Sequence, residues 1–251
     1  MRSRSLVLAS LGILLSIAGC SSTPSGAPSA ATSREAASPE AARPSGSLGS
    51  SGPVNPANFT SKIDNHWYPL APGTTLTYRG VKDRKLADRA VAVTDRTIVI
   101  AGVTCVVVED KLFFAGEPAE RNFDYYAQDR QGNVWNFGED AQEIESGQVV
   151  ATEGWRAGLD GALPSLVMEA APAVGDAFVH DYTKDHSAVV SLAESVKVPY
   201  GAFTDALLTK EWTPIEREVL THQYYVRGIG EVRDVAVRGP KEEFVLVAVA
   251  R

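Results

Sequence analysis

Cysteine is scarce in this chain of 251 residues. It has two, Cys20 and Cys105, too few for a disulfide scaffold or a multi-thiolate zinc site. Histidine is nearly as rare, with four, and the sequence has neither a zincin His-Glu-x-x-His motif nor an EF-hand calcium loop. Positive charge is in deficit: 24 basic against 31 acidic residues give a net charge of −7, which removes any electrostatic case for binding nucleic acid. Gly-x-Ser-x-Gly and Ser-x-x-Lys are both missing, which argues against the common serine hydrolases. No apolar run reaches the roughly 20 residues of a bilayer-spanning helix. What remains, 44% hydrophobic and 22% charged residues, is an ordinary globular composition.

The amino terminus carries the clearest local signal. Arg2 and Arg4 precede an apolar run over residues 6–18 that stops at Gly19-Cys20, the layout of an export signal. Ile17-Ala18-Gly19-Cys20 resembles the lipobox of bacterial lipoproteins, in which the cysteine thiol receives a diacylglycerol and the signal is cut before it. An ordinary signal peptide with an incidental cysteine is the alternative. Each buried methylene adds about 0.8 kcal/mol of membrane affinity, and two or more chains anchor stably. The expectation is a signal peptide over 1–19 and lipidation at Cys20, which places the protein on the extracytoplasmic face of the cell membrane. Over 20–55 the composition shifts to Ser, Pro, Ala and Gly with no aromatic residue, which predicts a disordered tether reaching roughly 30 Å.

The remainder, 56–251, predicts one all-β domain, because helical periodicity is scarce while short β-branched and aromatic runs recur between turn residues. Such runs occupy 74–79, 90–100, 103–108, 119–127, 134–137, 177–183, 188–198, 203–212, 220–226, 230–237 and 243–249. This many strands at this spacing imply an antiparallel curled sheet, barrel-like or a sandwich. Asp129-Arg130-Gln131-Gly132 predicts a hairpin turn. A propeller blade is the rival reading of that loop, but no second copy stands at a blade-like period. Residues 154–175 break the rhythm as an apolar, glycine-punctuated connection, read as a covering loop or a lid with a short helix over 166–171.

Two further segments stand out. One is Asp64-Asn65-His66-Trp67-Tyr68-Pro69-Leu70-Ala71-Pro72-Gly73-Thr74-Thr75. The other is Tyr126-Ala127-Gln128-Asp129 followed by Gly132-Asn133-Val134-Trp135-Asn136-Phe137-Gly138-Glu139. With Glu211-Trp212-Thr213-Pro214 and Tyr224-Tyr225 before Gly228-Ile229-Gly230, they resemble a family of uncharacterised bacterial, mainly actinobacterial, lipoproteins and secreted proteins. Its members read N-P-x-F-P-L-x-P-G-T-T and Y-A-Q-D-x-x-G-N-V-W-Y-F-G-E. His66 stands where that pattern often has Pro, and Asn136 where it often has Tyr. The resemblance implies a β-rich extracytoplasmic domain and brings no catalytic residues.

Chemistry-bearing residues are dispersed. His180 and His186 flank a turn at Lys184-Asp185, which separates their rings and reads as a hairpin end, so no metal site is assigned. Cys105 lies in an apolar strand, where burial leaves a thiol inert. Glu109-Asp110 and Glu139-Asp140 are adjacent pairs that a strand points to opposite faces. The doublets Tyr125-Tyr126 and Tyr224-Tyr225 put one ring on each face of the sheet. Trp135, Trp155, Tyr126 and Tyr225 are the candidate ligand-binding residues, with no catalytic residue and no cofactor. The expected role is a non-enzymatic envelope protein that binds an apolar molecule or a wall or protein partner; the alternative is an extracytoplasmic hydrolase of glycans or lipids.

Overall fold

A computed structural model describes residues 54–180 and 184–251, with the backbone of 7–8 and 12–13. Cys20 and residues 20–53 of the expected tether lie outside the described residues, as does all of the expected signal peptide but two backbone pairs, β1 (Val7–Leu8) with β2 (Gly12–Ile13). The rest is almost wholly β. After a 3-10 turn at Pro56–Asn58 come β3 (Phe59–Thr60), β4 (Thr75–Lys82), β5 (Lys85–Ile100), β6 (Val103–Phe114), β7 (Glu117–Asp129), β8 (Val134–Glu145), β9 (Gln148–Arg156) and β10 (Ser165–Met168). The second half contributes β11 (Ala177–Val179), β12 (His186–Val198), β13 (Gly201–Trp212), β14 (Leu220–Val226), β15 (Gly230–Arg238) and β16 (Glu243–Ala250). No described helix is long and apolar enough to cross a membrane.

Strands β3 to β16 form one antiparallel sheet, as the alternating sequence runs predict. Its order is β10-β8-β7-β6-β5-β4-β16-β15-β14-β13-β12-β11, with β3 on β7 and β9 on β8. Two meanders are thus joined where the last strand pairs with β4, Phe244 opposite Gly80 and Leu246 opposite Tyr78. The sheet curls without closing, and its two ends, β10 and β11, are consecutive in the chain.

Curling brings the inner faces of both meanders together. Val93, Val106, Val108 and Tyr126 of the first pack with Val189, Leu207 and Tyr225 of the second. Further along, Leu76, Tyr78 and Leu112 meet Val198, Phe244 and Leu246. The opposite face of β6–β8 is covered too, by Phe59, Ala157, Leu166 and Phe178 over Cys105, Val107, Tyr125, Trp135 and Phe137. The apolar run of β6 is therefore buried on both faces, as its composition requires.

The connection over 154–175 is more ordered than its glycines suggest. Its start belongs to β9, and of the residues expected as a short helix 166–168 belong to β10, whose four side chains are all buried and whose Leu166 pairs with Trp135. The seven residues between Pro164 and Pro172 are too few for a stable helix, and an open edge of β8 was there to accept the first four.

Candidate functional site

The chain before β4 crosses the end of the curled sheet and plugs it. Asn65, 5% exposed, organises this strap. Its Oδ1 accepts from the main-chain N–H of Trp67 at 2.8 Å and Tyr68 at 3.1 Å, an Asx turn that drives both rings inward. Its Nδ2 donates to the carbonyls of Gly132 at 2.8 Å and Glu169 at 3.1 Å. Trp67 is buried beneath the Arg227 guanidinium, 3.9 Å from the ring centroid. Gln128 of β7 accepts from the N–H groups of Asp64 and Asn65 and donates to the Asp64 carboxylate at 2.8 Å.

The predicted hairpin turn supports the same assembly. Asp129 Oδ1 accepts from the N–H groups of Gln131 and Asn133, both at 2.9 Å, and Oδ2 from Trp135 Nε1 at 2.8 Å. Gly132 holds φ of 91°, a value an L side chain rarely takes. Asn133 Oδ1 in turn accepts from Ala170 N–H at 2.9 Å and so fastens the end of β10. The segments over 64–75 and 126–139 are thus partners in seating the strap.

Beneath the strap the interior is polar. Tyr68, Arg89, Asp110, Asp124, Tyr126, Gln223, Tyr225, Glu231 and Asp234 all line one small void of about 40 Å³. Arg89 is the cation among them: Nε donates to Asp110 at 2.8 Å, Nη1 to Glu231 at 3.3 Å, and the guanidinium lies 5.4 Å from the Tyr78 ring centroid. Asp124 accepts from Asn136 Nδ2 at 3.2 Å, and Tyr225 donates to Gln223 Oε1 at 3.1 Å. The Tyr68 hydroxyl donates to that of Tyr126 at 3.4 Å. One arginine facing four carboxylates leaves negative charge uncompensated, so protons are held instead. Burial, reinforced by Asp110, pushes Asp124 up to about 7; burial with Glu231 beside it pushes Asp234 up to about 8. Glu139 and Glu211 are raised by burial in the same way, with Asp124 and Asp185 as their nearest repulsive neighbours. A void of this size admits water. It falls far short of the roughly 300–1,000 Å³ of a small-molecule pocket.

The four rings singled out from the sequence fall in two places. Tyr126 and Tyr225 flank Tyr68 in the interior, with centroids at 5.7 and 6.2 Å from it. Trp135 and Trp155 belong to the opposite face: Trp135 stands edge-on to Phe59 at 6.4 Å, and Trp155 packs against the edge of that cluster. The sheet itself separates the two pairs. Trp155 also walls an open groove of about 260 Å³, shared with Leu159, Asp160, Gly161, Ala162 and Lys184.

The remaining candidates are spoken for. His180 is buried against Phe178, its Nε2 is 3.2 Å from Ser187 Oγ, and burial depresses it to about 4. His186 instead stacks on Trp212 at 5.2 Å. Among the described residues no three His, Cys, Asp or Glu side chains are placed to hold a metal. Cys105 is fully buried, and burial pushes its thiol up to about 12. Glu109 points outward to Lys111 and Arg121 while Asp110 points in, as strand alternation requires.

The acidic centre is what reading the sequence missed. Its signal was available: Asp110 and Asp124 fall at the same strand parity as Val106, Val108 and Tyr126, positions the apolar pattern assigns to the interior.

No family model matches this chain, and no curated protein matches it. Two solved structures share part of its outline. One, described as an exported protein with a YmcC-like fold from Bacteroides fragilis, is 17% identical with a TM-score of 0.42, over 74% of this chain and 99% of that one. The other, described as a lipoprotein from Parabacteroides distasonis, is 12% identical with a TM-score of 0.42 over the same shares. Neither likeness bears on the role of this chain.

Proposed function

We propose that this chain is a lipoprotein, anchored through Cys20 to the extracytoplasmic face of the cell membrane, and that its β domain binds a wall or protein partner with its outer surface. The anchor rests on Arg2, Arg4, the apolar run and the Ile17-Ala18-Gly19-Cys20 lipobox. The binding role rests on one observation: the void between the two meanders is only about 40 Å³, lined by carboxylates and phenols together with Leu70, Val91 and Val108, which is too small for an acyl chain or a sugar. The residues shared with the lipoprotein family, Asn65, Gln128 and Asp129 among them, support this reading, because they hold the strap and the turn and face no open cleft.

Two measurements test it. Full-length protein fractionates with membranes and carries a diacylglycerol mass adduct, whereas Cys20→Ser appears in the soluble extracytoplasmic fraction. Retention of the variant in membranes, with no adduct on the wild type, overturns the anchor. Full-length protein in mild detergent co-sediments with isolated cell wall or retains an envelope protein. A second reading, an extracytoplasmic hydrolase, is favoured by the convergence of Asp110, Asp124, Glu231 and Asp234. Release of soluble wall fragments or ester hydrolysis, lost in Asp124→Asn, would install it in place of the binder.

A further inference from the structure

Glu139 faces the interior against the plain alternation of its strand. Phe137 packs on the outer face, so a regular β8 would send Glu139 outward with it. The register prevents this: Tyr126 pairs with Asn136 and Asp124 with Glu139, three steps along β8 against two along β7, a β-bulge at Phe137-Gly138. Asn136 Oδ1 accepts from the Gly138 N–H at 2.7 Å, and a Cβ at Gly138 would lie 2.5 Å from the Trp155 carbonyl oxygen, so the bulge requires glycine. The result is two carboxylates set opposite each other inside the protein, Glu139 at 6% and Asp124 at 4% exposure. Like charges directly opposite on a sheet repel. Arg89 does not relieve them, because its ion pairs go to Asp110 and Glu231. Two buried oxygens at this place have no hydrogen-bond partner: Glu139 Oε1 and Asn122 Oδ1. Asn122, 3% exposed, shares the inner face of β7 with Asp124, since Phe123 between them packs outward. Unpartnered buried oxygens beside opposed carboxylates are the surroundings that a cation satisfies.

We propose that Asp124, Glu139 and Asn122 Oδ1 bind one divalent cation of the calcium class, with water completing its coordination. The donor set selects that class: two carboxylates match a double positive charge, and oxygen ligands without sulfur or imidazole favour a hard ion. Calcium accepts the irregular geometry of two opposed side chains and a diagonal amide, whereas magnesium demands a near-ideal octahedron. With two carboxylates the affinity is modest, on the order of the 10⁻⁴–10⁻³ M of extracellular calcium modules. Water has room beside Asp124 in the void of about 40 Å³. That void shares Tyr68, Arg89 and Glu231 with a half-open hollow of about 50 Å³ at Pro69, Ile229 and Gly230, which gives the ion a way in. Without the ion, protons occupy these carboxylates, the state of the interior in a chelating buffer. The site is independent of what the outer surface binds.

The test uses detergent-solubilised full-length protein stripped with chelator. Terbium is added as the probe and its emission excited through the tyrosines, Tyr126 being the neighbour of Asp124 in the interior. Wild type shows saturable emission that calcium displaces and magnesium does not, and calcium at a hundred times its dissociation constant raises the unfolding midpoint by about 5 °C or more. Glu139→Gln weakens terbium binding about tenfold or more and loses the calcium shift, yet in chelator it unfolds no lower than wild type, because the amide removes the repulsion against Asp124. A merely structural glutamate would give the opposite, a lower midpoint in chelator. Asn122→Ala, which keeps both carboxylates, weakens terbium binding about threefold or more and so tests the site should Glu139→Gln not fold. Absence of a calcium shift and of displaceable emission in wild type overturns the proposal, as does a Glu139→Gln variant that binds like wild type. Sedimentation with cell wall is unchanged by chelator, so loss of the cation site leaves the surface reading standing.

Discussion

The side chain of Gln128 accepts a hydrogen bond from the main-chain N–H of Asn65 at 2.9 Å across 63 residues of sequence. Gln128 is in β7 and Asn65 in the strap, so this contact joins the plug to the sheet. Buried polar groups left without partners cost about 1–3 kcal/mol each. Asn65→Ala strands two inward-turning N–H groups and removes both Nδ2 bonds. The expected loss is about 2–4 kcal/mol in urea unfolding, and Gln128→Ala should approach it. A midpoint within experimental scatter of wild type would show that the strap is not part of the cooperative unit.

Arg89 is the second structural pivot. Removing it leaves Asp110 and Glu231 facing each other without a cation in the interior. Breaking a buried pair from one side costs about 3–5 kcal/mol. Arg89→Met should therefore unfold at a markedly lower denaturant concentration at pH 7, and recover part of the loss in mild acid, where Glu231, already pushed up by burial, takes up a proton once its cation is gone. Equal losses at both pH values would contradict an electrostatic origin.

Stability should also fall as pH rises above neutrality. In the folded state Asp124 lies at about 7 and Asp234 at about 8, against about 3.9 for an unfolded aspartate. The folded protein then binds more protons than the unfolded chain between these values, so its unfolding free energy decreases with pH through that window. Below about 6.5 the opposite linkage of His180, depressed to about 4, offsets part of this. Between pH 6.5 and 8.5 the acids act without it. Urea midpoints should drop over that interval in wild type and change less in Asp124→Asn; a midpoint rising toward pH 8.5 would refute the buried-acid account.

Cys105 should be silent toward thiol reagents. Full burial and a thiol raised to about 12 leave almost no accessible thiolate at pH 8. Iodoacetamide labelling of the detergent-solubilised protein should therefore appear only in denaturant, at the rate of global unfolding. Rapid native labelling of Cys105 would mean that the cover of Phe59, Leu166 and Phe178 opens locally.

Strand alternation is local, and what depends on it was legible in the sequence. The all-β class, the hairpin at Asp129, the opposed faces of Tyr125 and Tyr126, the burial of Cys105 and the outward turn of Glu109 beside an inward Asp110 all follow from a period of two and from turn chemistry. Which strand lies beside which is not local. Pairing of β16 with β4 brings the two ends of the domain together, and only the curl that follows sets Arg89 against Glu231, 142 residues away. The same curl sets Asp124 and Asp234 around one void and keeps Trp155 apart from Tyr225 on the far side of the sheet. β10 became a strand because β8 had an edge free to pair, which its own residues do not record. A side chain's parity is fixed by its neighbours in sequence, but the charge it meets is fixed by register between distant strands, and that is decided only when the sheet curls over itself.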